Sequence, residues 1–239
     1  MRRSVEPEWL DQLPNTDLRA QRSRSDLRRL NRCMGHMRIT TQTLRPLKNH
    51  AAPPRLTELG AGDGSFLLGV ARRLGTSWRG TCATLVDKQM LLTDRTTSAF
   101  SNVGWKVQAR TCDVFDWATE ANPGGSPVVL ANLFLHHFES ERLRLLLMAL
   151  ARNSSFFVAL EPRRSFASLF FSKLVGFIGC NAVTRHDAPV SVQAGFRHNE
   201  LSCLWPNHTG WILRERSAGP FSHLFVAHRA DHTSGGLAP

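Results

Sequence analysis

Between residues 55 and 161, short apolar runs alternate with stretches whose apolar residues recur at helical spacing. Strands are predicted near Arg55–Leu59, Thr81–Val86, Lys106–Arg110, Pro127–Leu133 and Phe156–Leu160, and helices at Gly64–Leu74, Lys88–Ala99 and Glu139–Ala151. Parallel strands need crossover connections. This alternation therefore predicts an α/β fold with a Rossmann-like, doubly wound, mostly parallel sheet. Two later runs, Trp211–Arg216 and Ser222–Ala227, lie close enough to pair as an antiparallel hairpin through Ser217–Pro220.

The flanks read differently. Residues 1–50 form a basic helical N-terminal extension or cap, in which Ser25 or Asp26 caps a helix carrying Leu27, Leu30, Met34 and Met37 on one side and Arg28, Arg29 and Arg32 opposite. Gly35 weakens the middle of that helix. Pro53 and Pro54 mark a boundary, because proline cannot continue a helix and restricts the residue before it. The core domain is then 51–229. Within it, 162–200 is an insertion or lid: a long apolar stretch, then polar, loop-like sequence. Residues 230–239, rich in small and polar residues, read as a disordered tail.

Composition narrows the class. In 239 residues, 42% are apolar and 21% charged, the proportions of a globular domain rather than a disordered or disulfide-stapled chain. The five cysteines (Cys33, Cys82, Cys112, Cys180, Cys203) form no Cys-x-x-Cys pair. They read as reduced thiols in a cytoplasmic protein, and no metal is called for. The opening residues lack the apolar core of a signal peptide, and no run is long enough to span a membrane. Lys plus Arg exceeds Asp plus Glu by 30 to 19. Residues 1–50 hold 11 basic and 5 acidic side chains, so +6 of the +11 lies there. That excess is either a solvated arginine-rich helix face or an arm for an anionic partner, whether nucleic acid, anionic lipid or an acidic substrate.

The candidate chemistry starts at Thr57-Glu58-Leu59-Gly60-Ala61-Gly62-Asp63-Gly64, which leaves the first strand and opens a helix. Glycines let the backbone turn sharply and approach a ligand, and the helix start favours a negative group. The third glycine comes one residue earlier than the dinucleotide-binding spacing requires, which suits a ligand without a pyrophosphate. The second strand ends at Asp87, where a carboxylate can accept both hydroxyls of a ribose. This combination resembles the class I S-adenosylmethionine-dependent methyltransferases of the small-molecule type, over roughly residues 55–161 and more loosely to 227. The resemblance implies S-adenosylmethionine as cofactor. Glu58, Gly60, Ala61, Gly62 and Gly64 would lie at its amino-acid part, Asp87 at the ribose, Asp113 and Val114 at the adenine, and Asn132 beside the sulfonium. The strand-five ending Leu160-Glu161-Pro162 also matches the family.

Methyl transfer is an in-line displacement, and a hydroxyl or carbon acceptor with an acidic proton needs a base. His136 and His137 stand at the fourth strand's tip, on the edge where open α/β sheets bind ligands. His186, beside Asp187, competes for the role, and each of the three has a structural alternative. The Asn/Asp-Pro-Pro-aromatic sequence of enzymes that methylate planar amines is absent, since Leu133-Phe134-Leu135 follows Asn132. The apolar stretch from Phe166 to Ile178 has Lys173 as its only charge. It reads as a crossover helix buried on the sheet, a lid over an apolar acceptor, or a face dipping into a membrane. The expected function is O-methylation, or C-methylation, of an apolar aromatic or lipid-like small molecule of secondary metabolism, with peripheral membrane contact left open. The alternatives are RNA or protein as acceptor through the basic N-terminal region, or a non-catalytic binding module.

Overall fold

The computed structural model describes residues 1–49, 55–89, 91–119, 128–206 and 208–230. The boundary at Pro53–Pro54, Pro127 and residues 231–239 of the tail lie outside them. The chain begins with a short helix, α1 (Trp9–Gln12), then α2 (Leu18–Cys33) and α3 (His36–Leu44). The core follows as β1 (Arg55–Leu59), α4 (Ser65–Leu74), β2 (Cys82–Asp87), α5 (Asp94–Asn102), β3 (Lys106–Thr111), α6 (Val114–Thr119), β4 (Val128–Asn132), α7 (Ser140–Asn153) and β5 (Phe156–Pro162). After β5 come α8 (Phe166–Lys173), a 3-10 turn (Val175–Ile178), α9 (Ala182–Ala194), α10 (Glu200–Leu204), β6 (Trp211–Ser217) and β7 (Ser222–Arg229).

The seven strands are ordered β3-β2-β1-β4-β5-β7-β6. The first five run parallel, and β7 returns antiparallel beside β5 with β6 outside it. Both faces are covered, so the inner strands are apolar on both sides, as a parallel sheet under helices requires. Along β4 and β5, Val128, Leu130, Phe156 and Val158 point into one core, and Val129, Ala131, Phe157 and Ala159 into the other. The strand order reverses between β1 and β4, which opens a crevice at their carboxyl ends.

Four expectations need correcting. The N-terminal helix starts not at Ser25 or Asp26 but at Leu18, capped by Asp17, whose side chain accepts the Arg19 amide. It stops before Gly35, whose left-handed conformation (φ +71°) turns the chain into a separate helix. The helix expected at Lys88–Ala99 begins only at Asp94, where Thr93 caps it. The loop-like sequence after the apolar stretch is largely helix α9, capped by Asn181 and carrying Pro189 inside it. Nor is the apolar stretch a crossover helix buried on the sheet. On α8 it is Ser168 and Ser172 that are buried, and Phe166, Phe170 and Phe171 that are exposed.

The N-terminal helices are bolted to the sheet through polar contacts. His36 is fully buried; its Nδ1 lies 2.7 Å from Asn132 Oδ1 and its Nε2 2.7 Å from Ser222 Oγ. Asn132 in turn donates to Asn31 Oδ1 on α2. Burial pushes the His36 pKa down to about 4, so this ring is neutral.

Candidate active site

At the switch point lies a cavity of about 910 Å³, at the upper end of the roughly 300–1,000 Å³ of small-molecule sites. One end is built from the tips of β1 and β2 and the connection after β3. Glu58, Gly60, Ala61, Gly62, Asp87, Cys112 and Val114 line it. Gly60 and Gly62 both have positive φ, +63° and +55°. A Cβ on Gly60 would stand 2.3 Å from the Phe134 ring, whereas one on Gly62 would meet nothing within 4 Å. Asp87 ties this end together: Oδ2 accepts the Gly62 amide at 2.8 Å and Oδ1 the Gln89 amide at 2.9 Å.

Glu58 is buried, and its Oε2 has no hydrogen-bond partner among the described residues. Burial, reinforced by Asp63 and Asp87, holds this carboxyl well above the usual carboxylate range. A buried, partnerless carboxyl oxygen in a cavity wall is suited to a cationic ligand group. It accords with the ammonium of an amino-acid moiety lying along an open glycine turn, so the residues present fit the cofactor that the motif implies.

The roof comes from the N-terminal helices. Leu27, Leu30 and Asn31 of α2, with Met34 just after it, line the cavity. Arg28 pairs with Asp63 of the glycine turn at 2.8 Å, and Arg24 donates to Gln89 at 2.9 Å.

The other end gathers distant segments. The first residues cross the cavity mouth as a strap: Asp187 of α9 accepts the Trp9 and Leu10 amides, and His186 stacks on Trp9 at 3.8 Å. The strap brings Glu8 and Asp11 to the two histidines after β4. His136 is buried between two carboxylates, with Nδ1 2.7 Å from Glu161 and Nε2 3.3 Å from Glu8. Burial alone would lower its pKa, but Glu161 and Glu8 outweigh it and raise it to about 9. Burial would likewise raise Glu8, yet His136 and Ser191 bring it down to about 2. His136 is thus an imidazolium fixing the strap to the β5 tip. His137 is half-buried and lines the cavity, with Nδ1 3.2 Å from Asp11 Oδ2 and Nε2 without a protein partner among the described residues. Glu8, His136 and His137 present ligand-type atoms within 4.8 Å of one another. Both nitrogens of His136 are already engaged by carboxylates.

The sequence-derived candidates therefore separate. Glu58, Gly60, Ala61, Gly62, Asp87, Val114, Asn132, His136 and His137 line one cavity. Gly64, Asp113 and His186 lie outside its lining. Asp113 caps α6 by accepting the Phe115 amide and pairs with Lys88 at 3.1 Å. The space beside Gly64 is taken by Leu85, 2.6 Å from where a Cβ would stand. His186 pairs with Asp187 at 2.8 Å as expected from their adjacency, but the pair faces the strap. Sequence reasoning missed Glu8, Asp11 and Arg28. The acids of Glu6-Pro7-Glu8-Trp9-Leu10-Asp11, unusual in so basic a region, were the available signal.

No family model and no curated protein matches this chain. Solved structures do. The plantazolicin methyltransferase BpumL, in complex with S-adenosylhomocysteine, superposes with a TM-score of 0.63 over 90% of this chain and 91% of its own, at 13% identity. The magnesium protoporphyrin IX methyltransferase ChlM from Synechocystis PCC 6803, also with bound S-adenosylhomocysteine, gives 0.54 over 92% and 91%, at 12% identity. An O-methyltransferase family protein from Burkholderia thailandensis gives 0.53 over 81% of this chain and 57% of that one, at 18% identity. The chain has the fold of the class I S-adenosylmethionine-dependent methyltransferases.

Proposed function

We propose that this protein transfers a methyl group from S-adenosylmethionine to a hydroxyl of an apolar aromatic or lipid-like small molecule. One observation carries the reading: a single cavity holds the unpaired Glu58 Oε2 and a His137 that faces Asp11 at 3.2 Å. The cofactor, when bound, supplies an electrophilic methyl carbon. The chain's residues bind and orient. Glu58 meets the ammonium, Asp87 the ribose hydroxyls, and Val114 with Cys112 the base. Asp11, 3.2 Å from Nδ1 of His137, places a negative charge on that side of the ring, which favours the proton on Nδ1 and leaves Nε2 to take the acceptor's hydroxyl proton. His136 cannot share that work near neutral pH, because it already carries a proton. A ring carbon activated by an ionised neighbouring hydroxyl would use the same base.

The apolar acceptor class rests on the walls at this end. Leu10, Phe138, Phe171, Leu174 and Ile178 line the same cavity as His137. RNA or protein acceptors are less well supported, because four of the six arginines of α2, Arg19, Arg24, Arg28 and Arg29, are engaged within the chain. The test is calorimetry with S-adenosylhomocysteine, followed by incubation of cell extract with methyl-labelled cofactor. Binding, with label in the organic-extractable fraction, is expected. Absence of binding overturns the cofactor assignment, and label in RNA or protein overturns the acceptor class.

A further inference from the structure

The helix after β5 is inside out. On α8, Ser168 and Ser172, one turn apart, face the protein, while Phe166 and Phe170, also one turn apart, are 77% and 61% exposed. Phe171 is half-exposed, and on the following 3-10 turn Phe177 and Ile178 are 88% and 57% exposed. A soluble surface rarely carries so many bulky apolar side chains in one stretch, and such a patch marks an interaction site. Phe171 and Ile178 also line the active-site cavity, so the patch continues into its wall.

The charge around the patch is one-sided. No Asp or Glu occurs between residues 162 and 186, and Lys173 sits in the patch itself. Arg185 lies against Gly176, and the half-exposed Arg29, paired with Asp26 at 2.6 Å, donates to the carbonyls of Ile178 and Gly179. Phe166 also borders a second cavity of about 430 Å³, lined by Arg163, Arg164, Arg197, Arg216 and Glu215; Arg164 and Arg197 pair with Glu200, which leaves Arg163 and Arg216 as its arginines without an ion pair among the described residues. Glu215 is committed to His223 at 2.7 Å. The Arg163 guanidinium has no partner among the described residues.

We infer that this face docks on an anionic lipid bilayer, with Phe166, Phe170 and Phe177 entering the acyl boundary and the arginine-lined cavity holding a phospholipid headgroup. Apolar insertion beside basic side chains is the two-part attachment that peripheral membrane proteins use. No described helix is long and apolar enough to cross a membrane, so attachment lies on the surface. An amphiphilic acceptor could then pass from the leaflet along Phe171 and Ile178 into the cavity. That last step alone rests on the methyltransferase reading; bilayer binding stands without it.

The experiment is co-sedimentation of the full chain with vesicles of phosphatidylcholine alone or mixed equally with phosphatidylglycerol. Binding to the mixed vesicles is expected, at least about tenfold weaker to phosphatidylcholine alone and steeply reduced by salt. Phe170→Asp with Phe177→Asp should abolish it while S-adenosylhomocysteine affinity and melting temperature stay unchanged. Arg163→Ala with Arg216→Ala should remove the preference for the anionic lipid. The inference is overturned if the wild-type chain stays in the supernatant with mixed vesicles, if the aspartate variant still sediments, or if the patch instead supports a dimer that the aspartate variant dissolves.

Discussion

The two ends of the large cavity are built on opposite plans. The cofactor end comes from three successive strand tips, and its key contacts are short-range or between neighbouring strands: Gly62 to Asp87, Asp87 to Gln89. The acceptor end is assembled from the first residues, the turn after β4, the β5 tip and α9. Its central ion group joins Glu8 to His136 across 128 positions of sequence. One end is thus part of the sheet's own geometry, whereas the other exists only while the strap is seated. Changes at the first end should appear as lost cofactor affinity, and changes at the second as lost turnover with affinity kept.

The sharpest separation comes from His137→Ala. Loss of the proposed general base should lower kcat by about 100-fold or more while S-adenosylhomocysteine affinity, read by calorimetry, holds. If turnover is unchanged, His137 is only structural.

At the other end, Asp87→Asn removes charged hydrogen bonds, and cofactor affinity should fall by about 1–3 kcal/mol without unfolding. Glu58→Gln should show a similar loss while raising the melting temperature, since a buried, partnerless carboxyl opposes folding. Equal affinity in either variant would break the assignment of this end.

Asp11→Asn should act more gently, by about tenfold in kcat. A change confined to KM would make Asp11 a binding residue instead.

The smallest effect is on stability against pH, where two buried histidines pull in opposite directions. His36 titrates near 4 in the fold and near 6.5 when unfolded, so the unfolded chain binds more protons in between, and stability falls as pH drops through that window. His136 titrates near 9 in the fold, so its contribution is complete below about 6.5 and is lost as pH rises through 9. Glu8, lowered to about 2, adds to the acid side below its ordinary 4.5. Urea midpoints should therefore peak near pH 6.5, and His136→Gln should flatten the alkaline limb. An unchanged alkaline limb in that variant would remove the imidazolium from the account.

The same division governed what the sequence revealed. The glycine turn, Asp87 and the run of parallel strands could be read because each depends on neighbours in the chain and on local apolar patterning. The hairpin β6–β7 was visible for the same reason. The strap was not, because nothing local in Glu8 or Asp11 says that they will meet residues 136 and 137. His186 beside Asp187 gave a true pair and a false location, since adjacency fixes the contact but not the direction it faces. Helix α9 was hidden by Pro189 and by polar residues whose partners, Asp26 to Thr184 among them, lie on α2. On α8 the amount of apolar sequence was plain, but only the fold shows that its serines point inward.

Helix α9 touches both the strap and α8. Its Asp187 grips the backbone of Trp9 and Leu10, so Asp11, two residues past Trp9, rides on the same rod that carries the phenylalanine-bearing helix. One helix thus braces both the strap over the cavity and the phenylalanine-bearing face outside it, so a substitution that loosens α9 should disturb the two together.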